Sequence, residues 1–302
     1  QSSVRRWRRP RRPRWPGRSR RSGPASSVTM DPVRPDFIPD PSLSQAEMEA
    51  LQRDIAEVAR FEDDLDVSPA AIASAGDAPD DDQTTLSAST DDTTNPPLVA
   101  GVDQAFVDDR AVSAIVVLRN GEVIERVSAV ERTEIPYIPG LLSFREGGAI
   151  LAAFAELEAD PDVVLVDGSG RIHFREAGLA THIGITLDVP TVGVAKSLLC
   201  GAPEQSLDET YPEGTRIPIA ADDSVETCPD GTVIGHALQT RQYDSPNRYI
   251  NPLIVSPGHR VSASTAADIV EATADDYKLP EPTRVADSYA DEAKAAVNNP
   301  SE

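Results

Sequence analysis

Three carboxylates stand out for the residues around them. Asp103 ends the apolar run Val99-Ala100-Gly101-Val102, and Asp167 ends a second run, Val163-Val164-Leu165-Val166. Glu146 lies between them in Ser143-Phe144-Arg145-Glu146. A buried strand that ends in an acid fixes that carboxylate at the rim of a sheet. Two such strands and a third acid can hold a hard divalent cation, which takes oxygen ligands. Ions held this way activate water and stabilise a leaving alkoxide in phosphoryl transfer. The acids are 43 and 21 positions apart, so they meet only in a fold that sets the two strands side by side. Taken singly, each acid also reads as an ordinary strand end or helix cap in an aspartate-rich chain.

The elements that must position these acids follow from hydrophobic periodicity. Leu98–Gln104, Ala111–Leu118 and Val123–Val130 are strand-like, and Asn120-Gly121 joins the last two as a tight hairpin. The short link Asp108-Asp109-Arg110 makes the three an antiparallel meander. The pattern then alternates. Ser143 is placed to cap a helix containing Ile150, Leu151, Phe154 and Leu157. Val163–Asp167 is a strand, Ala177–Leu187 a helix, and Thr191–Ala195 a buried strand with Lys196 at its end. Thr232–Thr240 and Pro252–Val255 add strands, Ser262 opens a helix to about Thr273, and Arg284–Val297 is a last amphipathic helix. The expected class is α/β: a mixed sheet, antiparallel meander then parallel strands, flanked by helices. Upstream, Ser44-Gln45-Ala46-Glu47 forms a capping box for a helix to about Phe61.

Charge divides the chain. Residues 1–29 carry ten arginines and no acid, whereas the rest holds 18 basic and 50 acidic side chains, a net of −32. Only three basic residues are lysine: Lys196, Lys278 and Lys294. Heavy acidity with little lysine suits a protein soluble in concentrated salt, pointing to an extreme halophile; an acidic mesophilic protein is the alternative. The basic head reads either as a nucleic-acid-binding arm or as sequence upstream of a start at Met30. We divide the chain into that head (1–29), a helical region packing on the core (30–76), an acidic flexible loop (77–97) and the core that carries the three acids (98–300). Two cysteines, Cys200 and Cys228, fit neither a disulfide framework nor a metal motif. With no apolar run long enough to span a membrane, a reduced, cytoplasmic monomer is expected.

Longer motifs sharpen the reading. Pro136-Tyr137-Ile138-Pro139-Gly140-Leu141-Leu142 precedes Ser143-Phe144-Arg145-Glu146. Asp167-Gly168-Ser169-Gly170 is followed by His173, then Gly178-Leu179-Ala180-Thr181-His182-Ile183-Gly184. Pro190-Thr191-Val192-Gly193-Val194-Ala195-Lys196 and Ser256-Pro257-Gly258-His259-Arg260 complete the series. From about Leu98 to Ala286 the chain resembles the endonuclease V family. The resemblance implies an RNase H-like fold and a Mg²⁺-dependent cut, with Mn²⁺ as a substitute, at the second phosphodiester bond 3′ of deoxyinosine. Such a cut leaves a 3′-hydroxyl and a 5′-phosphate.

By motif, Asp103, Glu146 and Asp167 take the metal-ligand positions, and Lys196 and His259 the other catalytic ones. Tyr137, Ile138 and Pro139 match a wedge that enters the duplex. Gly140, Leu142, Gly168, His173, Gly178 and Leu179 match the lesion pocket. The implied partner is DNA containing deoxyinosine, with inosine-containing RNA as the alternative. A body this acidic repels DNA, so contact-range cations must supply local attraction: Arg145, Arg175 and Arg260 as phosphate contacts, with Lys196, Arg241 and Arg248 nearby. Other readings are a non-catalytic module of this fold, which should have lost an acid, and an excision-repair nuclease domain, which should bring further domains.

Overall fold

The computed structural model describes residues 30–73, 96–243 and 250–298. The basic head, Arg248 and nearly all of the acidic loop lie outside the described residues.

The meander forms where the apolar alternation places it: β1 (Leu98–Val107), β2 (Arg110–Arg119) and β3 (Glu122–Arg132). Asn120 and Gly121 both take positive φ, 53° and 74°, the backbone twist a two-residue hairpin needs. Then come α3 (Leu142–Ala155), β4 (Val163–Asp167), α4 (Leu179–Leu187) and β5 (Thr191–Ala195). Two earlier helices, α1 (Gln45–Val58) and α2 (Pro69–Ala73), precede the sheet. The Ser44–Glu47 capping box is formed at the start of α1.

The rest of the sheet is β6 (Ala202–Pro203), β7 (Arg216–Ala220), β8 (Val233–Leu238) and β9 (Leu253–His259), with α5 (Ala263–Ala272) and α6 (Glu281–Asn298) closing the chain. The strand order is β3-β2-β1-β4-β5-β9-β8-β7-β6. Strands β1, β4 and β5 run parallel, and β9 returns antiparallel to β5. This is the expected mixed α/β sheet flanked by helices, extended by an antiparallel half.

Sequence periodicity missed β6 and β7. In β7, Pro218 interrupts Arg-Ile-Pro-Ile-Ala and weakens the strand signal. Yet Ile217 and Ile219 both bury against Ile172 and Ile234, and that core sets the strand.

Helix α3 starts two residues earlier than Ser143 allows as a cap: Leu141 is the N-cap and makes no side-chain bond there. Ser143 instead gives its hydroxyl to His182 across the helix pair, with Oγ and Nδ1 2.8 Å apart.

Two layers position the rim of the parallel strands. On one face, Ile150 and Phe154 of α3, Leu157 just past its end, and Ile183 and Leu187 of α4 pack on Val164 and Val166. On the other, Ala290 of α6 packs on Ala105, Val112 and Ala114. Gly101 makes that second contact possible: a Cβ there would stand 1.9 Å from the Pro282 carbonyl oxygen. Helix α6 is thereby pressed directly onto β1, beside Asp103.

Candidate active site

Register brings the acids together. Val102 stands opposite Val166, so the next residues, Asp103 and Asp167, are neighbours at the rim. Asp167 pairs with Val194 on its other side. Lys196, just past β5, returns its Nζ to Asp167 Oδ2 at 2.9 Å. Glu146 arrives from the first turns of α3 and is buried, as is Asp103.

The electrostatics mark concentrated negative charge. Burial pushes the Asp103 carboxyl up to about 8, helped by the Asp167 charge and by hydrogen bonds shared with Asp287 and Asp167. Glu146 is pushed up to about 7 by burial, with Arg145 opposing and Asp167 adding to the shift. Burial acts to lower Lys196, but its bond to Asp167 and the charges of Asp167, Asp103 and Asp287 hold it above the ordinary lysine value.

Asp287 is the residue that sequence reasoning missed. Its Oδ1 lies 4.0 Å from Lys196 Nζ, and its carboxyl bonds that of Asp103. One signal was available. Thr283, Ala286 and Ala290 form the buried face of α6, and Asp287 falls on that face by helical spacing. An acid on the packed side of a helix calls for a partner.

Among the described residues, no three of these side chains stand at the spacing that ligates one ion; the carboxyls bond one another and Lys196 instead. The donor set nevertheless fits a hard divalent cation. It is all carboxylate oxygen, and its raised acids carry repulsion that a cation would relieve.

A cavity of about 180 Å³ opens beside this cluster. Gly140, Leu142, Gly168, His173, Gly178 and Leu179 all line it, with Tyr137, Gln52 and Leu198. Gly140 has φ +81°, and its carbonyl accepts from Gln52 Nε2 at 2.7 Å and from His173 Nε2 at 3.0 Å. His173 Nδ1 accepts from the Arg175 amide at 3.2 Å, so both ring nitrogens are occupied in holding the pocket wall. Tyr137 is 63% exposed at the mouth. Pro139 is also exposed, but Ile138 is half-buried against the Met48, Leu141 and Phe144 cluster. Ile138 anchors the loop, leaving Tyr137 and Pro139 to project.

Three expectations need correction. His259 is fully buried and pairs with Thr191, at the opposite end of β5 from Lys196. Three strand steps separate it from the Asp167 level, roughly 10 Å. Its ring meets Asp188 Oδ1 at 3.3 Å and the Arg60 amide at 3.3 Å, so it braces the far edge. Arg260, beside it, bonds the carbonyls of Asp64 and Asp188. Arg175 is buried and tied to Gln52 and Glu226. Neither arginine is free for phosphate. Arg145 remains at the site, its guanidinium 4.7 Å from the centre of the Phe106 ring. Arg241 pairs with Glu213 and Asp276.

All four histidines of the chain are held below their ordinary pKa, with burial the first cause of each. His173 and His182 fall to about 4. A depressed native value means that the unfolded chain binds the proton first. The stabilisation is therefore complete above about 6.5 and is lost as pH falls towards 4. The raised Asp103 and Glu146 act in the opposite direction, so the clean test is a difference. Between pH 7 and 4, wild type should lose about 3 kcal/mol of unfolding free energy relative to His182→Gln. Parallel pH profiles from chemical denaturation would refute this.

The family model described as Endonuclease V matches residues 82–288. An endonuclease V from Haloarcula marismortui is 87% identical over 270 residues, covering 89% of this chain and all of the relative. The solved endonuclease V from Streptomyces avermitilis is 30% identical with a TM-score of 0.64, covering 87% of this chain and 97% of that one. The Ciona intestinalis endonuclease V, 24% identical with a TM-score of 0.61, covers 83% of this chain and 98% of its own and shares the fold. That protein was solved with a 24mer DNA containing an inosine followed by a ribo-adenosine.

Proposed function

Because the chain belongs to the endonuclease V family, we propose that it is a divalent-metal-dependent repair endonuclease acting on deoxyinosine in DNA. It cuts the second phosphodiester bond 3′ of the lesion and leaves a 3′-hydroxyl and a 5′-phosphate. One adjacency supports this reading above all. Asp167 belongs to the acid cluster, and the next residue, Gly168, belongs to the cavity wall. Cutting and base reading are thus one peptide unit apart.

The cavity is smaller than the roughly 300–1,000 Å³ of drug-sized ligand sites and suits a single heterocycle. Flipping a base into it costs a few kcal/mol, least for a weakened pair such as one containing inosine. Tyr137 stacks into the gap left behind, and glycine-rich walls let backbone groups approach the base edge. Asp103, Glu146, Asp167 and Asp287 hold Mg²⁺, or Mn²⁺ in its place. The bound ion supplies activation of water and stabilisation of the leaving 3′-oxygen. Lys196 holds a phosphate oxygen in line, as a compact ammonium can. We assign residues 98–300 as the catalytic core, buttressed by the 30–76 region through Gln52. Among the described residues no helix is long and apolar enough to cross a membrane.

Matched DNA and RNA strands, each with and without inosine, test the substrate. Cleavage confined to inosine-containing DNA is expected; preferential cleavage of the RNA would move the assignment to an endoribonuclease. Tyr137→Ala should weaken lesion binding about tenfold, in line with a lost stacking contact of 1–3 kcal/mol, and leave the Mg²⁺ requirement unaltered. Equal loss of lesion and metal affinity would contradict a wedge.

A further inference from the structure

The chain carries 28 basic residues and only three are lysine, yet all three stand around the acid cluster. Lys196 bonds Asp167. Lys278 Nζ bonds Asn251 Oδ1 at 2.7 Å, and Asn251 in turn donates to the Lys196 carbonyl at 3.3 Å. Lys294 lies one helical turn past Asp291 on the face of α6 that carries Asp287, and lines a groove with Asp103, Asp287 and Phe106.

Their ion pairing also differs from that of most described cations, a feature they share with Arg110, Arg119 and Arg145. Most described cations in this acidic body meet a carboxylate within 4 Å. Lys278 and Lys294 have no carboxylate partner among the described residues. Lys278 is half-buried, and its Nζ contact is the neutral Asn251 amide oxygen. Its ammonium faces a second cation, Lys196, and burial together with that charge holds its pKa below the ordinary lysine value. An unneutralised cation kept in such surroundings fits an anion that arrives with the substrate.

We propose that Lys278 and Lys294, on either side of Lys196, hold backbone phosphates of the DNA strand that flanks the cut. The inference rests on the nuclease reading above and adds the substrate path to it. Lys294 sits over β1, Lys196 follows β5, and Lys278 is held through Asn251 ahead of β9. β1 and β9 are three strand spacings apart, roughly 14 Å. That is about four nucleotides of one strand at 3.4 Å each. Near 1 M salt the Debye length is about 3 Å, so only cations in contact with phosphate resist screening. Lysine suits this role because it meets phosphate as a flexible point charge, without the fixed fork that arginine brings.

Two measurements on the full chain test the path. In fluorescence anisotropy with an inosine-containing duplex and chelator, Lys278→Gln and Lys294→Gln should each weaken binding severalfold. Each should also lower the slope of log K against log salt by about 0.9. Lys278→Arg and Lys294→Arg should keep most of the affinity. Arg119→Gln, at the far end of β2, should alter neither quantity. Independently, acylation of amines followed by mass spectrometry reads all three lysines in the unmodified protein. Bound duplex should protect Lys278 and Lys294. Equal labelling with and without duplex, or unchanged salt slopes in both glutamine variants, would overturn the proposal. Wild type that cuts inosine-containing DNA with these lysines unprotected would remove this path alone. Wild type that neither binds nor cuts would remove the nuclease reading.

Discussion

Asp103→Asn should abolish strand cleavage and raise the thermal midpoint of the metal-free protein. Both effects come from the same carboxylate. It stands at the centre of the cluster, beside Asp167 by register and bonded to Asp287, so its loss removes a proposed ligand and the charge that positions the others. A rate loss of about 10³-fold or more is expected. Stability moves the opposite way because the native carboxyl is pushed up to about 8. An acid with a raised native value contributes stability below its unfolded value, and that contribution is lost as pH rises through the native value. Asn carries no charge and escapes the penalty. The gain should be about 1–3 kcal/mol at pH 8 and should vanish near pH 4. A variant that cuts normally, or whose midpoint drops at pH 8, would contradict the cluster.

Gly178→Ala is the second large effect, and it acts on the pocket. Gly178 is the N-cap of α4 and its amide donates to the Gly170 carbonyl at 3.1 Å. A Cβ there would stand 2.3 Å from the Ser169 carbonyl oxygen and 2.5 Å from that of Gly170. Both obstacles are backbone, so the methyl is accommodated only by pushing α4 away from the Asp167–Gly170 turn. Overpacking of this kind costs about 1–3 kcal/mol or more. Because the turn carries both Asp167 and Gly168, cleavage at inosine should fall about 10²-fold, a scale set by displacements near 1 Å. Wild-type cleavage with an unchanged melting temperature would show that the turn is softer than its contacts imply.

The acids at β1 and β4 were legible because each is the last word of a local pattern, an apolar run closed by Asp. The meander was legible for the same reason, and Asn120-Gly121 fixed its hairpin. Long-range partners were harder. Asp287 gains its meaning only when Gly101 lets α6 lie on β1, a contact between residues far apart in sequence. His259 was named by its motif, and a motif does not say at which end of a strand its residue falls. In the fold, β9 continues through Pro257 and Gly258, with a register irregularity at Thr191/Val192 that accommodates them. The histidine is thus carried to the buried far edge.

Arg175 and Arg260 were chosen as phosphate contacts by charge and nearness in sequence. Their carboxylate and carbonyl partners come from α1, from the segment after it and from other distant segments, which no local pattern reveals. Lys278 and Lys294 went unremarked as phosphate contacts, although rarity of lysine in the chain was itself the signal.

Cleavage of a duplex bearing one deoxyinosine tests the account most directly, with product ends mapped first in chelator and then after Mg²⁺ is added. No product should form in chelator. With Mg²⁺ a single nick should appear at the second phosphodiester 3′ of the lesion, ending in 3′-hydroxyl and 5′-phosphate. Cleavage in chelator, equal cleavage of the undamaged duplex, or no cleavage with Mg²⁺ present would contradict it.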